Sequence, residues 1–202
     1  MSTVTAVKKN GYIAIAADSL VSAGSMKMSA AYSKTTRKIV RVGDSYLGLT
    51  GFMVSVQVLE SLFRKAGSAP PLSSVDEIFE TFRVIHVRLR DEYFMNPRTD
   101  MSDAYEMTQL HVLIANPHGI FTVGGYRTVC EYQKFRDHRP RTEYALGAMH
   151  ALYDRIDDVV SIAEAGVRAA ADFDQATSTP VESHLIRLAP ATVEEFDLPL
   201  HV

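Results

Sequence analysis

The sequence predicts an α+β fold in which two β-sheets pack face to face and a pair of helices covers the outer face of each sheet. Strand-like runs come before any helix, and the predicted order is strands, two helices, strands, two helices, strand. A sheet that helices cover on one face must bury its other face as well. Two such sheets can bury those faces against each other, which gives a four-layer αββα sandwich.

The first two strands are predicted to form a hairpin. The runs Thr3–Lys8 and Tyr12–Ala17 flank Asn10-Gly11, and Asn-Gly favours a two-residue turn because both central residues need positive φ. A turn of this length places Thr3 opposite Asp18. We therefore expect the carboxylate of Asp18 beside the first residues of the chain.

The later elements follow from the spacing of apolar residues and from the turn residues that interrupt it. The predicted strands are Lys38–Val42, Ser45–Thr50, Gln109–Ala115, Ile120–Val123, Val129–Phe135 and Ser183–Leu188. The predicted helices are Phe52–Lys65, a segment from Ser73 or Ser74 to a point before Asn96, Tyr144–Tyr153 and Asp158–Phe173. The second helix is expected to bury one stripe made of Val75, Ile78, Phe79, Phe82, Ile85 and Leu89.

The composition indicates an ordinary globular protein and argues against several classes. The 202 residues are 47% hydrophobic and 22% charged, which is unlike a disordered chain. A net charge of −3 does not favour binding to nucleic acid through general electrostatics. The single cysteine, Cys130, and the absence of close metal-ligand spacing among the histidines predict no disulfide framework, metal or cofactor. No secretory signal or membrane span is recognised, so we expect a cytoplasmic protein.

The first residues contain a candidate nucleophile. A serine hydroxyl needs a base, and removal of Met1, which a small second residue favours, would give Ser2 a free α-amine. Such an amine has a pKa of roughly 7.7 to 8.0, which suits proton transfer near neutral pH. Asp18 can hold a lysine against the hydroxyl, and that cation would stabilise the developing alkoxide.

Several segments, taken in their order and spacing, resemble the N-terminal nucleophile hydrolases, and within them the proteasome β-subunit and HslV group that includes the bacterial proteasome homologues. These segments are Ser2–Gly11, Ile15–Ser19, Ser22–Ser25, Lys38-Ile39, Gly48–Gly51, Tyr144–Met149 and Phe173–Thr177 ahead of Pro180-Val181. The resemblance covers residues 2 to about 190. It implies one proteasome β-like domain over residues 1–202, the sandwich of the N-terminal nucleophile hydrolases, and a threonine/serine-type endopeptidase.

The resemblance also assigns roles to residues outside the hairpin. By this resemblance Lys38 would be the active-site lysine, because it precedes an apolar strand as the family's lysine does; ungapped counting from Asp18 selects Lys34 instead, so both lysines stay candidates. Gly51 would supply an N–H of the oxyanion hole. Asp174 and Thr177 would hold the amine in its working position.

Substrate and assembly are implied by the same resemblance. The apolar residues Val21, Leu49 and Met53 would line the pocket for the residue before the cut, which predicts cleavage after apolar residues. The implied function is a self-compartmentalising peptidase that cuts polypeptides inside a homo-oligomeric double ring. An ATPase that unfolds substrates is a conceivable partner, although nothing in the chain specifies one.

Two other functions stay open. A catalytically inactive cage or scaffold is favoured by Arg139–Glu143, which stands where the family carries a Gly-Ser-Gly segment. The second is an amidohydrolase for a small amide, because the same nucleophile serves both kinds of enzyme on this fold. Loss of Met1 would favour an enzyme over the scaffold, and ring assembly would favour the peptidase over the amidohydrolase.

Overall fold

The computed structural model describes residues 2–23, 26–28, 30–97, 103–137 and 143–190, and within them it contains eleven strands and four α-helices. The strands are β1 (Val4–Lys9), β2 (Tyr12–Asp18), β3 (Val21–Ala23), β4 (Met26–Met28), β5 (Ile39–Val42), β6 (Ser45–Thr50), β7 (His111–Asn116), β8 (Gly119–Val123), β9 (Val129–Tyr132), β10 (Phe135–Asp137) and β11 (Val181–Arg187). The helices are α1 (Met53–Ala66), α2 (Val75–Asp91), α3 (Glu143–Tyr153) and α4 (Val159–Phe173).

The described strands form two large antiparallel sheets and one small one. The four-stranded sheet has the order β10-β1-β2-β11, the five-stranded sheet has the order β5-β6-β7-β8-β9, and β3 pairs with β4 alone. Helices and antiparallel sheets in this order make the fold α+β. Among the described residues, no helix combines the length and the hydropathy that a membrane span needs.

The register of the first hairpin is the predicted one. Asn10 and Gly11 form the turn with φ of 51° and 79°, the positive values that this turn demands. Strands β1 and β2 pair without a slip from the turn to Val4. Beyond Val4 the N–H of Asp18 donates to the carbonyl oxygen of Thr3 at 3.2 Å, so Asp18 lies beside the first residues of the chain.

Two sequence predictions about strands are wrong. The single strand predicted over Val129–Phe135 consists of β9, which pairs with β8, and β10, which pairs with β1 in the other sheet. The chain bends at Gln133-Lys134, and no glycine or proline marks this change of sheet. The pair β3 and β4 lies between the predicted strands Tyr12–Ala17 and Lys38–Val42, where the sequence predicts no strand, because three-residue strands are too short for alternation to reveal them.

Three apolar clusters hold the elements together. One joins α1 and α2 to the five-stranded sheet, one joins strands of both large sheets, and one joins α3 and α4 to the four-stranded sheet. Typical members of the first are Leu59, Leu62, Ile78, Phe82, Val112 and Ile114. Typical members of the second are Val4, Ile13, Ile15, Leu113 and Ile120. Typical members of the third are Val7, Ala14, Ala16, Met149, Ile162 and Val167.

The buried stripe of α2 is narrower than the sequence predicts. Ile78, Phe82, Ile85 and Leu89 are buried, as expected. Val75 and Phe79 are 37% and 42% exposed, which corrects that part of the prediction, and His86 is buried instead. Val75 is the first residue of the helix, and Phe79 lies about 100° around the helix axis from Ile78, so both fall at the margin of the contact with the sheet.

Candidate active site

The first described residues, Ser2 and Thr3, are both buried, with exposed fractions of 7% and 1%. They precede β1, and the hairpin brings the end of β2 alongside them. The N–H of Thr3 donates to Oδ1 of Asp18 at 2.8 Å. A carboxylate therefore contacts the peptide bond that follows Ser2.

Asp18 forms a buried ion pair with Lys38. Nζ of Lys38 lies 2.6 Å from Oδ2 of Asp18, and the two side chains are 9% and 0% exposed. Oδ2 also accepts from the N–H of Leu20 at 3.1 Å and from that of Ser178 at 3.4 Å. Such additional hydrogen bonds are what a buried ion pair needs to offset the cost of desolvation.

Lys38 reaches this position because it stands just before β5. Its carbonyl oxygen accepts from the N–H of Leu49 at 2.9 Å, which extends the pairing of β5 with β6. Lys34 lies in the preceding turn and is exposed. Of the two lysines considered from the sequence, the structure therefore brings Lys38 into contact with Asp18.

A second carboxylate approaches from the loop after α4. Oγ1 of Thr3 lies 2.7 Å from Oγ1 of Thr177, and the hydroxyl of Thr177 donates to Oδ2 of Asp174 at 3.3 Å. The N–H of Thr177 also donates to the carbonyl oxygen of Asp174 at 3.1 Å. Asp174 and Thr177 are thus held together and linked to the first residues through Thr3.

Gly51 lies between β6 and α1 with φ of +110°, a backbone angle that residues other than glycine rarely adopt. A Cβ atom at this position would meet nothing within 4 Å, so the backbone conformation, not space, requires glycine. The first turn of α1 has no side-chain cap and no acidic residue. The N–H of Ser55 donates to the carbonyl oxygen of Phe52 at 3.0 Å, and the helix dipole favours negative charge at this end of α1.

The three predicted pocket residues differ in how accessible they are. Met53 is 43% exposed, and Val21 is half-buried. Leu49 is 3% exposed and belongs to the apolar cluster beneath α1 and α2. Leu49 can therefore border a pocket but offers it little surface.

Sequence reasoning missed several groups that contact the predicted site residues, among them Thr3 and the N–H groups of Leu20 and Ser178. Thr3 carried a usable signal, since the hairpin register already placed it opposite Asp18. The two N–H groups carried none, because their directions depend on loop conformations that residue type does not determine.

Some features of the prediction fall outside the described residues. These are Met1, Gly24 and Ser25 of the segment Ser22–Ser25, and residues 139–142, which include most of the segment compared with the family's Gly-Ser-Gly. In the described part of the chain, no group of three or more His, Cys, Asp or Glu side chains is arranged to hold a metal ion.

The chain resembles several solved structures over nearly its whole length. It is 41% identical to Thiobacillus denitrificans BPH, with a TM-score of 0.88 over 94% of this chain and 100% of that one. The structure of that protein in complex with epoxomicin gives 41% identity and a TM-score of 0.85 over 93% of this chain and 100% of that one.

A more distant likeness concerns the fold alone. Eukaryotic HslV from Trypanosoma brucei is 19% identical, with a TM-score of 0.62 over 92% of this chain and 99% of that one. No protein-family model matches the chain, and no curated protein matches its sequence.

Proposed function

Since this chain belongs to the family of bacterial proteasome homologues (BPH), within the proteasome and HslV group of N-terminal nucleophile hydrolases, we propose that it is a peptidase subunit. Its nucleophile is the hydroxyl of Ser2 after removal of Met1. The observation that carries this proposal is the pair of contacts made by the next residue, Thr3. The N–H of Thr3 contacts Asp18, which pairs with Lys38, and the hydroxyl of Thr3 contacts Thr177.

The proposed reaction is acyl transfer to Ser2 followed by hydrolysis. The α-amine takes the proton from the hydroxyl as Oγ attacks the carbonyl carbon of the peptide, and Lys38 stabilises the charge that develops on Oγ. The tetrahedral intermediate places its oxyanion at the N–H of Gly51, near the start of α1. The amine then protonates the leaving amine, the peptide C–N bond breaks, and water hydrolyses the ester on Ser2.

Asp18, Asp174 and Thr177 support this chemistry without taking part in bond making. Asp18 orients the side chain of Lys38 through their buried ion pair. Asp174 and Thr177 hold the amine where it can accept the proton. The substrate is a polypeptide cut after apolar residues, with Val21 and Met53 touching the side chain before the cut and Leu49 bordering the pocket.

We also propose that the subunits form a closed double ring with the nucleophiles inside. The start of α1 supports a covered surface, because Phe52 and Val54, on either side of the pocket residue Met53, are 70% and 56% exposed, and exposed apolar residues that lie together mark binding surfaces. In this proposal the chain is one domain of the four-layer αββα type, works in the cytoplasm and receives unfolded substrates, for which an ATPase is a candidate supplier.

A peptide epoxyketone tests the proposal, because this warhead reacts with the hydroxyl and the free amine of one terminal residue. We expect loss of Met1 in the intact mass, a single adduct mapped to Ser2, and no adduct in Ser2→Ala. Ser33→Ala, which changes a serine in the exposed turn around Lys34, is the matched control and should still be labelled.

The other outcomes identify the alternatives. Retained Met1 together with a ring-sized particle and no adduct would indicate the inactive cage, the hypothesis suggested by Arg139–Glu143. An adduct on a monomer or simple dimer would favour an amidohydrolase of small amides over the compartmentalised peptidase.

A further inference from the structure

Thr3 forms hydrogen bonds with both groups of side chains that the proposed reaction needs, the Asp18–Lys38 pair and the Thr177–Asp174 pair. It is 1% exposed. Its N–H donates to Asp18 at 2.8 Å, and its Oγ1 lies 2.7 Å from Oγ1 of Thr177. A buried hydroxyl must find a hydrogen-bond partner, and at this position the partner belongs to the cluster around Asp174.

The bond from Thr3 to Asp18 restrains the residue before it. The N–H that donates to Asp18 belongs to the peptide bond between Ser2 and Thr3. A peptide group is planar and includes the Cα atoms on both sides. Fixing this N–H therefore fixes the Cα atom of Ser2, and the amine and the hydroxyl can then move only by rotation about two single bonds.

The bond from Thr3 to Thr177 fixes the direction of a hydroxyl chain. Thr177 donates its hydroxyl proton to Asp174, so in the contact with Thr3 it accepts and Thr3 donates. The Thr177–Asp174 bond is 3.3 Å long, whereas the Thr3–Thr177 bond is 2.7 Å. The shorter bond restrains the Thr177 side chain more strongly, and the β-branched Thr3 has little freedom at χ1.

We propose that Thr3 is a positioning residue whose N–H and hydroxyl lock the preceding residue between the Asp18–Lys38 pair and the Thr177–Asp174 pair. The inference rests on the proposed function of Ser2. Thr3 touches no substrate and carries no proton in the reaction. Its effect is to hold the nucleophile and its amine in the orientation from which attack occurs.

Substitutions at Thr3 separate the hydroxyl from the shape of the side chain. Thr3→Val keeps the branched shape and the N–H bond to Asp18 but lacks the hydroxyl, while Thr3→Ser keeps the hydroxyl. Thr5→Val is the matched control, since Thr5 lies two residues further along the chain in β1, is fully buried and donates its hydroxyl to the carbonyl oxygen of Ala163 at 2.9 Å. All variants are compared in the assembled full-length protein.

We expect Thr3→Val to lower kcat for a peptide substrate by roughly 10- to 100-fold, the cost of a misplaced reacting group. KM should change by less than about twofold, because the substrate contacts remain. Thr3→Ser and Thr5→Val should keep kcat within about threefold of the wild type, as expected when the reacting groups stay in place. The kcat of each variant is calculated per folded subunit, with the folded fraction measured by circular dichroism, so a residue needed only for folding would show no loss of kcat.

The outcomes distinguish this inference from the proposed function. If the wild type is active and Thr3→Val keeps its kcat, or if Thr5→Val loses as much, the inference is overturned and the nucleophile assignment stands. If the wild type forms no epoxyketone adduct at Ser2, the proposed function is overturned, and the inference about Thr3 is overturned as well. Should Thr3→Val not fold by circular dichroism, Thr3→Ala removes the same hydroxyl and must show the same loss.

Discussion

The carboxylate of Asp18 joins four separate parts of the chain. It accepts hydrogen bonds from Thr3, Leu20 and Ser178 and pairs with the ammonium group of Lys38. Charge-assisted bonds of this kind are strong, but each depends on the negative charge of one buried group. Removing the charge of Asp18 would therefore weaken the contacts around the first residues as well as the proposed chemistry.

Replacing Asp18 should cost stability as well as activity. Asp18→Asn leaves the buried ammonium group of Lys38 without its counter-charge, and breaking a buried ion pair in this way costs about 3–5 kcal/mol. We expect that decrease in the free energy of unfolding, measured with urea and followed by circular dichroism, together with loss of peptide hydrolysis.

A double variant distinguishes these two effects. Asp18→Asn combined with Lys38→Met removes both charges and should recover much of the lost stability without recovering hydrolysis. If Asp18→Asn unfolds at the same urea concentration as the wild type, the ion pair is not the stabilising contact described above.

At the scale of elements, the two large sheets approach each other closely where β6 faces β1. A Cβ atom on Gly48 would lie 2.3 Å from Cγ1 of Val4, a distance that atoms do not adopt. Glycine at this point of β6 is thus required by the neighbouring sheet. By contrast, Gly147 lies in α3, where a Cβ atom would meet nothing within 4 Å.

These two glycines should respond to alanine in opposite ways. Gly48→Ala is expected to lower the free energy of unfolding by about 1–3 kcal/mol through overpacking. Gly147→Ala should raise it by about 0.5–1 kcal/mol, because alanine favours the helix. Urea unfolding of both variants measures the contrast, and a stabilising Gly48→Ala would contradict the close approach of the sheets.

The start of α2 contains a carboxylate whose protonation should weaken the fold. Glu77 accepts hydrogen bonds from the hydroxyl and the N–H of Ser73, and these bonds hold the pKa of its carboxyl below the ordinary value. A carboxyl whose pKa is lowered on folding stabilises the protein above its unfolded pKa. That contribution disappears as the pH falls through the lowered value.

The melting temperature should therefore fall less between about pH 7 and about pH 3 in Glu77→Gln than in the wild type, since these pH values lie on either side of a glutamate pKa. The decrease in melting temperature between the two conditions gives the comparison. Glu80→Gln is the control, because Glu80 is an exposed residue of the same helix that pairs with Arg83 instead. An equal effect of both substitutions would show that Glu77 has no special role.

Local signals account for the elements that could be predicted from the sequence. Asn10-Gly11 determined the turn and the register of the first hairpin, and apolar spacing located the four α-helices that the structure describes. The division of Val129–Phe135 between two sheets was not predictable, since it depends on which edges lie nearby after folding.

The candidate site divides in the same way. The approach of Asp18 to the first residues follows from the register alone. The choice of Lys38, Asp174 and Thr177 required the family resemblance, because long segments separate them from the hairpin. The contribution of backbone donors such as Ser178 became visible only in the structure.

At the scale of the whole molecule, the proposed ring predicts a particle much larger than the 22.4 kDa chain. Native mass spectrometry should give an integral multiple of the subunit mass that fits two stacked rings. A short peptide should be cut, whereas a tightly folded protein should resist, because the nucleophiles would face an enclosed space. A stable monomer at micromolar concentration that digests folded proteins would contradict this assembly.

The two-residue turn of the first hairpin fixes the number of residues that must separate Thr3 from Asp18. Side chains along a strand alternate between faces, so adding or deleting a single residue between Thr3 and Asp18 would turn the carboxylate toward the opposite face. The 20 positions that separate Asp18 from Lys38 include loops and can vary in number more freely. Homologous chains should therefore keep the first interval constant and differ in the second.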